Sequence, residues 1–139
     1  MNRFARRMSI VVGLALVVLM LATTAAWAGS PHFVGTPTFS ISGNTATVHA
    51  KEAGLGDEDQ IVATLSGTAA CINNGGHHPK AVNKTSFSTS STEPVQNGQA
   101  VYDLTATATF SPDCSPPMTV SFTSLTLTDE TNNLSVKLI

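Results

Sequence analysis

"AVYDLTATATF", residues 100–110, decides the fold. Tyr102, Leu104, Ala106, Ala108 and Phe110 fall on one side of an extended chain, and Val101, Asp103, Thr105, Thr107 and Thr109 on the other. Apolar and polar residues that alternate with period two describe a strand with one face in a core and one in water. The same pattern recurs outward in both directions. "QIVATLSGTAACI" (60–72) puts Ile61, Ala63, Leu65, Ala69 and Cys71 on one face, and "LSVKLI" (134–139) aligns Leu134, Val136 and Leu138. "MTVSFTSLTLT" (118–128) alternates through Met118, Val120 and Phe122, then changes phase to Leu125 and Leu127. One extra residue near Thr123-Ser124 produces such a change, so a bulge is expected there. "PTFSIS" and "TATVHA" read as two further strands, and "TSFSTS", with Phe87 its only apolar residue, as an edge strand.

Turn formers separate these runs. Ser42-Gly43-Asn44 predicts a tight hairpin, "EAGLGDED" (52–59) a glycine-rich acidic loop, Asn97-Gly98 a turn, and "DETNN" (129–133) a turn into the last strand. Asp57, Glu58 and Asp59, like Asp129-Glu130, read as solvated turns, because they lack the spaced oxygen ligands of a calcium loop. Helix signals are nearly absent. The expectation is an all-β chain: a single antiparallel immunoglobulin-like β-sandwich of about seven strands.

Residues 1–28 stand apart. Arg3, Arg6 and Arg7 precede an apolar run from Ile10 to Leu21, and Ala26-Trp27-Ala28 ends the segment with small residues at the two positions a signal peptidase reads. This is the layout of a secretory signal peptide. Cleavage after Ala28 would leave residues 29–139 as the β-sandwich domain, with no membrane span. All three arginines would leave with the signal. Lys51, Lys80, Lys84 and Lys137 would then face nine carboxylates, a formal charge of −5. Scattered lysines under a negative balance argue against nucleic acid as a partner. No cysteine follows the apolar run as a lipid acceptor, so a released protein is expected in the extracellular space or cell envelope. Cys71 and Cys114 are the only cysteines, and an oxidising compartment favours a disulfide between them.

The most chemically varied stretch is "CINNGGHHPKAVNK", residues 71–84. Adjacent His77 and His78 point to opposite sides of an extended segment, so the pair does not by itself make a metal site. His32 and His49 could join them only through tertiary folding. No catalytic, cofactor or metal residue is assigned. His77, His78, Lys80, Asn83 and Lys84 are candidates for a binding loop, held at one end by Cys71.

"KEAGLGDED", "CINNGGHHPKAVNK", "NGQ", "CSPP" and "LTLTDETNN", in this order, resemble a group of small exported, mainly actinobacterial proteins without an assigned activity. The resemblance covers most of residues 29–139. It implies export, a β fold and a framework role for Asn73, Gly75, Pro79, Asn83 and Lys84. It adds no catalytic residue. Ser115 stands between Cys114 and Pro116, where the group more often has cysteine-proline-proline.

The function expected from the sequence is a secreted, non-catalytic β-sandwich with a structural or partner-binding role, its partner a protein or another envelope component. The alternative is a small extracellular carrier of a metal ion or an apolar molecule. A ligand-sized cavity lined by Phe, Met and Tyr would favour the carrier. A filled core under flat polar faces would favour the partner-binding module.

Overall fold

The computed structural model describes residues 29–73 and 83–139. Eight strands follow one another: β1 (His32–Phe33), β2 (Thr38–Ser42), β3 (Thr45–Ala53), β4 (Gln60–Ile72), β5 (Lys84–Pro94), β6 (Gln99–Thr107), β7 (Thr119–Asp129) and β8 (Leu134–Lys137). They form two antiparallel sheets. In sheet A, β3 lies between β6 on one side and β1 and β2 on the other; sheet B has the order β5-β4-β7-β8. With the two-residue β1 set aside, β2 to β8 are the expected seven strands. Their order, β2-β3-β6 facing β5-β4-β7-β8, is immunoglobulin-like, with the fourth strand beside the third rather than beside the fifth.

Alternation builds the core. From β3 come Ala46, Val48 and Ala50, from β4 Ile61, Ala63 and Leu65, from β6 Tyr102, Leu104 and Ala106, and from β7 Leu125 and Leu127, all buried. Leu134, Val136 and Leu138 are only half-buried, because β8 is an edge with nothing beyond it. On β2, the inward-facing Phe39 and Ile41 are 41% and 43% exposed, since β2 is an edge strand of sheet A.

Two local devices shape sheet B. The β4–β7 register shifts between Thr68 and Ala69: Thr68 pairs with Ser124 and Ala69 with Phe122, leaving Thr123 as the extra residue. The bulge expected from the phase change is therefore present. Beside it, Gly67 pairs with Phe87 of β5. A Cβ at Gly67 would lie 2.7 Å from Phe87 Cζ and collide with the Ser124 carbonyl. The missing side chain makes room for Phe87, whose ring meets Phe122 edge-on with centroids 5.4 Å apart. An aromatic residue across from a strand glycine covers the backbone that glycine leaves bare.

The loops gather at two ends. One carries the β3–β4 loop, the β5–β6 turn and the β7–β8 turn. There Asn97 (φ 53°) and Gly98 (φ 70°) supply the two positive-φ positions of a type I′ turn. Paired bonds between Gln96 and Gln99 close it. The opposite end carries the β2–β3 hairpin, the end of β4, the start of β5 and the β6–β7 connection.

Candidate functional site

Cys71 and Cys114 are disulfide-bonded, with Cα atoms 5.7 Å apart. The bridge joins the end of β4 to the β6–β7 connection, and Met118 sulfur lies 3.7 Å from Cys71 Sγ. A cross-link of this kind suits an oxidising environment. Asn83 and Lys84 lie at this end too. Lys84 opens β5 opposite Ala70, next to Cys71 in β4. His77, His78 and Lys80 lie outside the described residues. His49 is on the outer face of sheet A, with Nδ1 2.9 Å from Asp103 Oδ1. Among the described residues, no group of three or more His, Cys, Asp or Glu side chains is placed to share a metal ion.

Two surfaces formed by the described residues are candidates to receive a ligand. The first is the outer face of sheet B. Outward alternation places serine and threonine in register across all four strands. Ser90, Thr64, Thr128 and Ser135 form one rung, and Ser88, Ser66, Thr126 and Lys137 the next. Thr64 Oγ1 lies 2.8 Å from Ser90 Oγ, Thr128 Oγ1 lies 3.2 Å from Ser135 Oγ, and Thr68 Oγ1 lies 2.7 Å from Thr123 Oγ1. Cross-strand pairs of this type stabilise a sheet by roughly 0.2–1 kcal/mol each and hold the hydroxyls in a fixed lattice. Its repeat is about 4.8 Å across the strands and about 6.7 Å along them. Within the strands, the charged residues on this face are Lys84 and Lys137, both at its margins. Sheet A has a smaller version: Thr45 and Thr47 meet Thr107 and Thr105 at 3.2 and 3.1 Å.

The second surface is a half-open groove of about 680 Å³ at the disulfide end. Ile41, Phe110, Met118 and Val120 give it apolar walls, and Asn44 and Asp113 stand among its polar lining. Asn44 Nδ2 donates to the Ala108 carbonyl at 3.1 Å, which ties the β2–β3 hairpin to the end of β6.

The opposite end corrects two expectations. Glu52 belongs to β3 rather than to an acidic loop, and it is fully buried; Asp129, expected in a solvated turn, is fully buried at the end of β7. Tyr102 Oη donates to Glu52 Oε1, while Glu52 Oε2 has no partner. Asp129 Oδ1 accepts from the Thr131 and Asn132 amides at 2.9 and 3.3 Å, and Oδ2 accepts from Asn132 Nδ2 at 2.7 Å. Asn132 Nδ2 also lies 3.0 Å from Glu58 Oε2. Burial pushes the Glu52 carboxyl up to about 7. The negative charges of Asp129 and Glu58 add to this, and the Tyr102 hydrogen bond opposes it. Burial, reinforced by Glu52, also pushes the Tyr102 hydroxyl up. Tyr102 therefore stays protonated and remains a donor.

No protein-family model matches the chain, and no curated protein or solved structure matches it either.

Proposed function

We propose that this chain is a secreted, non-catalytic β-sandwich protein that binds a partner at the cell envelope or outside the cell, with the outer face of sheet B as its contact surface. The four-hydroxyl rung Ser90-Thr64-Thr128-Ser135, continued by Ser88-Ser66-Thr126, carries this reading. Surfaces of soluble proteins ordinarily mix charges of both signs. Here an uncharged lattice of donors and acceptors spans four strands, on a domain whose balance is otherwise acidic. Each hydroxyl can donate and accept, and the pairing fixes their spacing at no further ordering cost on binding. A surface of this kind suits a neutral, extended polymer rich in hydroxyl and amide groups, such as an envelope glycan. A polyanion would find few cations there, and a polycation no carboxylate within the strands.

Secretion belongs to the same proposal. The signal-like segment 1–28, the resemblance to exported proteins and the Cys71–Cys114 bridge support it. Co-sedimentation with purified insoluble envelope glycan tests the binding. The protein should pellet with the polymer, and Ser66→Lys with Thr126→Lys should keep it in the supernatant. Ser40→Lys with Thr47→Lys, on sheet A, should leave pelleting unchanged. A wild-type protein that stays in solution at every polymer concentration would count against the proposal.

The carrier reading has one observation in its favour, the groove lined by Ile41, Phe110, Met118 and Val120. A tryptophan placed by Val120→Trp would report on it. Saturable fluorescence changes with apolar probes, abolished by Met118→Lys, would favour a carrier.

A further inference from the structure

Among the described residues, the fully buried charged side chains are Glu52 and Asp129, and they come from opposite sheets. Glu52 is on the inner face of β3 in sheet A, and Asp129 ends β7 in sheet B. Both side chains point into the space between the sheets at the same end of the sandwich, and the negative charge of Asp129 bears on Glu52. The donors on the β7 side, Thr131 N, Asn132 N and Asn132 Nδ2, are committed to Asp129. None serves Glu52 Oε2, which has no partner at all. We propose that Glu52 and Asp129 share one proton, and that this proton is a latch holding the two sheets together at the acidic end of the sandwich.

A proton on Glu52 Oε2, donated to Asp129, satisfies the orphaned oxygen and removes one of two facing negative charges. Two carboxylates sharing a water-poor site cannot both ionise without strong repulsion. The surroundings offer no other remedy. Tyr102 of β6, Asp129 of β7 and Glu58 of the β3–β4 loop are the titratable groups bearing on Glu52, and Glu93 of β5 bears on Tyr102. All but the tyrosine are acids. Lys51, next to Glu52 in sequence, is exposed on the opposite face of β3. Counting Asp57, Asp59 and Glu130 in the adjoining loops, seven of the nine carboxylates gather at this end.

The sign follows from the direction of the shift. Glu52 has a folded-state value of about 7, above its ordinary 4.5. Its contribution to stability is fully present below 4.5 and is lost as pH rises towards and through 7. A difference of this size corresponds to a fall of roughly 300-fold in the folding equilibrium constant over the whole titration, of which about 70-fold falls between pH 5 and 8. The response with least disruption is local. The β3–β4 loop and the β7–β8 turn separate, water reaches Glu52, and the disulfide end stays closed. The end that opens carries Leu55, which is buried when the latch is shut.

Carboxyl-carbon NMR of the wild-type protein tests this directly, together with amide exchange at Leu55, Val95 and Glu130. Those three amides bond to Gly98, Asp59 and Val62 across the same end. The Glu52 carboxyl should titrate near neutrality. Protection at the three amides, corrected for intrinsic exchange, should fall at least tenfold from pH 5 to 8, while protection at Val48 and Leu125 changes less. Glu52→Gln keeps an acceptor for Tyr102 and supplies a permanent donor to Asp129, so its protection should not change with pH. Asp129→Asn, which offers an amide to ionised Glu52, should also flatten the dependence. Titration of Glu52 below pH 5, or wild-type protection unchanged between pH 5 and 8, would overturn the latch, and both readings stand whether or not either variant folds.

Discussion

Removing the disulfide should cost this protein more of its stability than it would cost most domains of its size. The perturbation is Cys71→Ala with Cys114→Ala, which leaves two small apolar side chains in place of the bridge. The bridge spans a sequence separation of 43 residues. In the chain-entropy model, opening a loop of that length releases about 4 kcal/mol of denatured-state constraint. The core has little to set against this. Among the described residues, eight of the eighteen buried apolar ones are alanine, so the strands contribute small side chains and little transferred area. A domain with an ordinary 5–15 kcal/mol of stability would keep only part of it. At roughly 4 °C per kcal/mol for about 110 residues, the melting temperature should fall by about 15 °C. Urea unfolding followed by Tyr102 fluorescence and far-ultraviolet dichroism gives the energy. The midpoint should drop markedly, and the slope should rise as the freed chain exposes more surface. An unchanged midpoint in the double variant, with the bridge proven present in the parent by mass, would refute the reasoning. It would mean that the β6–β7 connection is held by its other contacts alone.

Two packing predictions follow from the same core. Gly67→Ala should destabilise by about 2–3 kcal/mol, since the new methyl meets the Ser124 carbonyl and the Phe87 ring, and backbone cannot yield as a side-chain end can; a melt equal to the parent's would mean that the bulge moves freely. Leu65→Ala, at a fully buried position in the central strand of sheet B, should cost about 3 kcal/mol by chemical denaturation, and a loss below 1 kcal/mol would mean the two sheets collapse onto the cavity.

Much of the architecture is written in the alternation of side chains. Period two in residues 100–110 places Tyr102, Leu104, Ala106 and Ala108 on the buried face, and the phase change after Phe122 locates the extra residue at Thr123. The buried acids escaped the reading for a chemical reason. Carboxylates beside glycine and asparagine suggest solvated turns, a local signal that competes with the alternation at a strand's end. Yet Glu52 continues the inward series Ala46, Val48 and Ala50, and Asp129 continues Leu125 and Leu127. The phase of each strand, carried one step further, puts both side chains between the sheets. Their meeting with each other is a tertiary event that no local pattern encodes. The same holds for the groove, assembled from the β2–β3 hairpin, the β6–β7 connection and the start of β7. The hydroxyl lattice stands between these cases. Each serine or threonine is visible as an outward residue, but the rungs exist only once the register of four strands is fixed.

The measurement that bears most directly on the role assigned to sheet B is a chemical-shift titration of the residues 29–139 domain with soluble fragments of envelope glycan, followed at threonine methyl and backbone amide groups. Shifts concentrated at Thr64, Ser66, Thr126 and Thr128, with Ile41, Phe110 and Met118 unmoved, are the predicted result. Shifts confined to the groove residues, or none at saturating fragment, would contradict it.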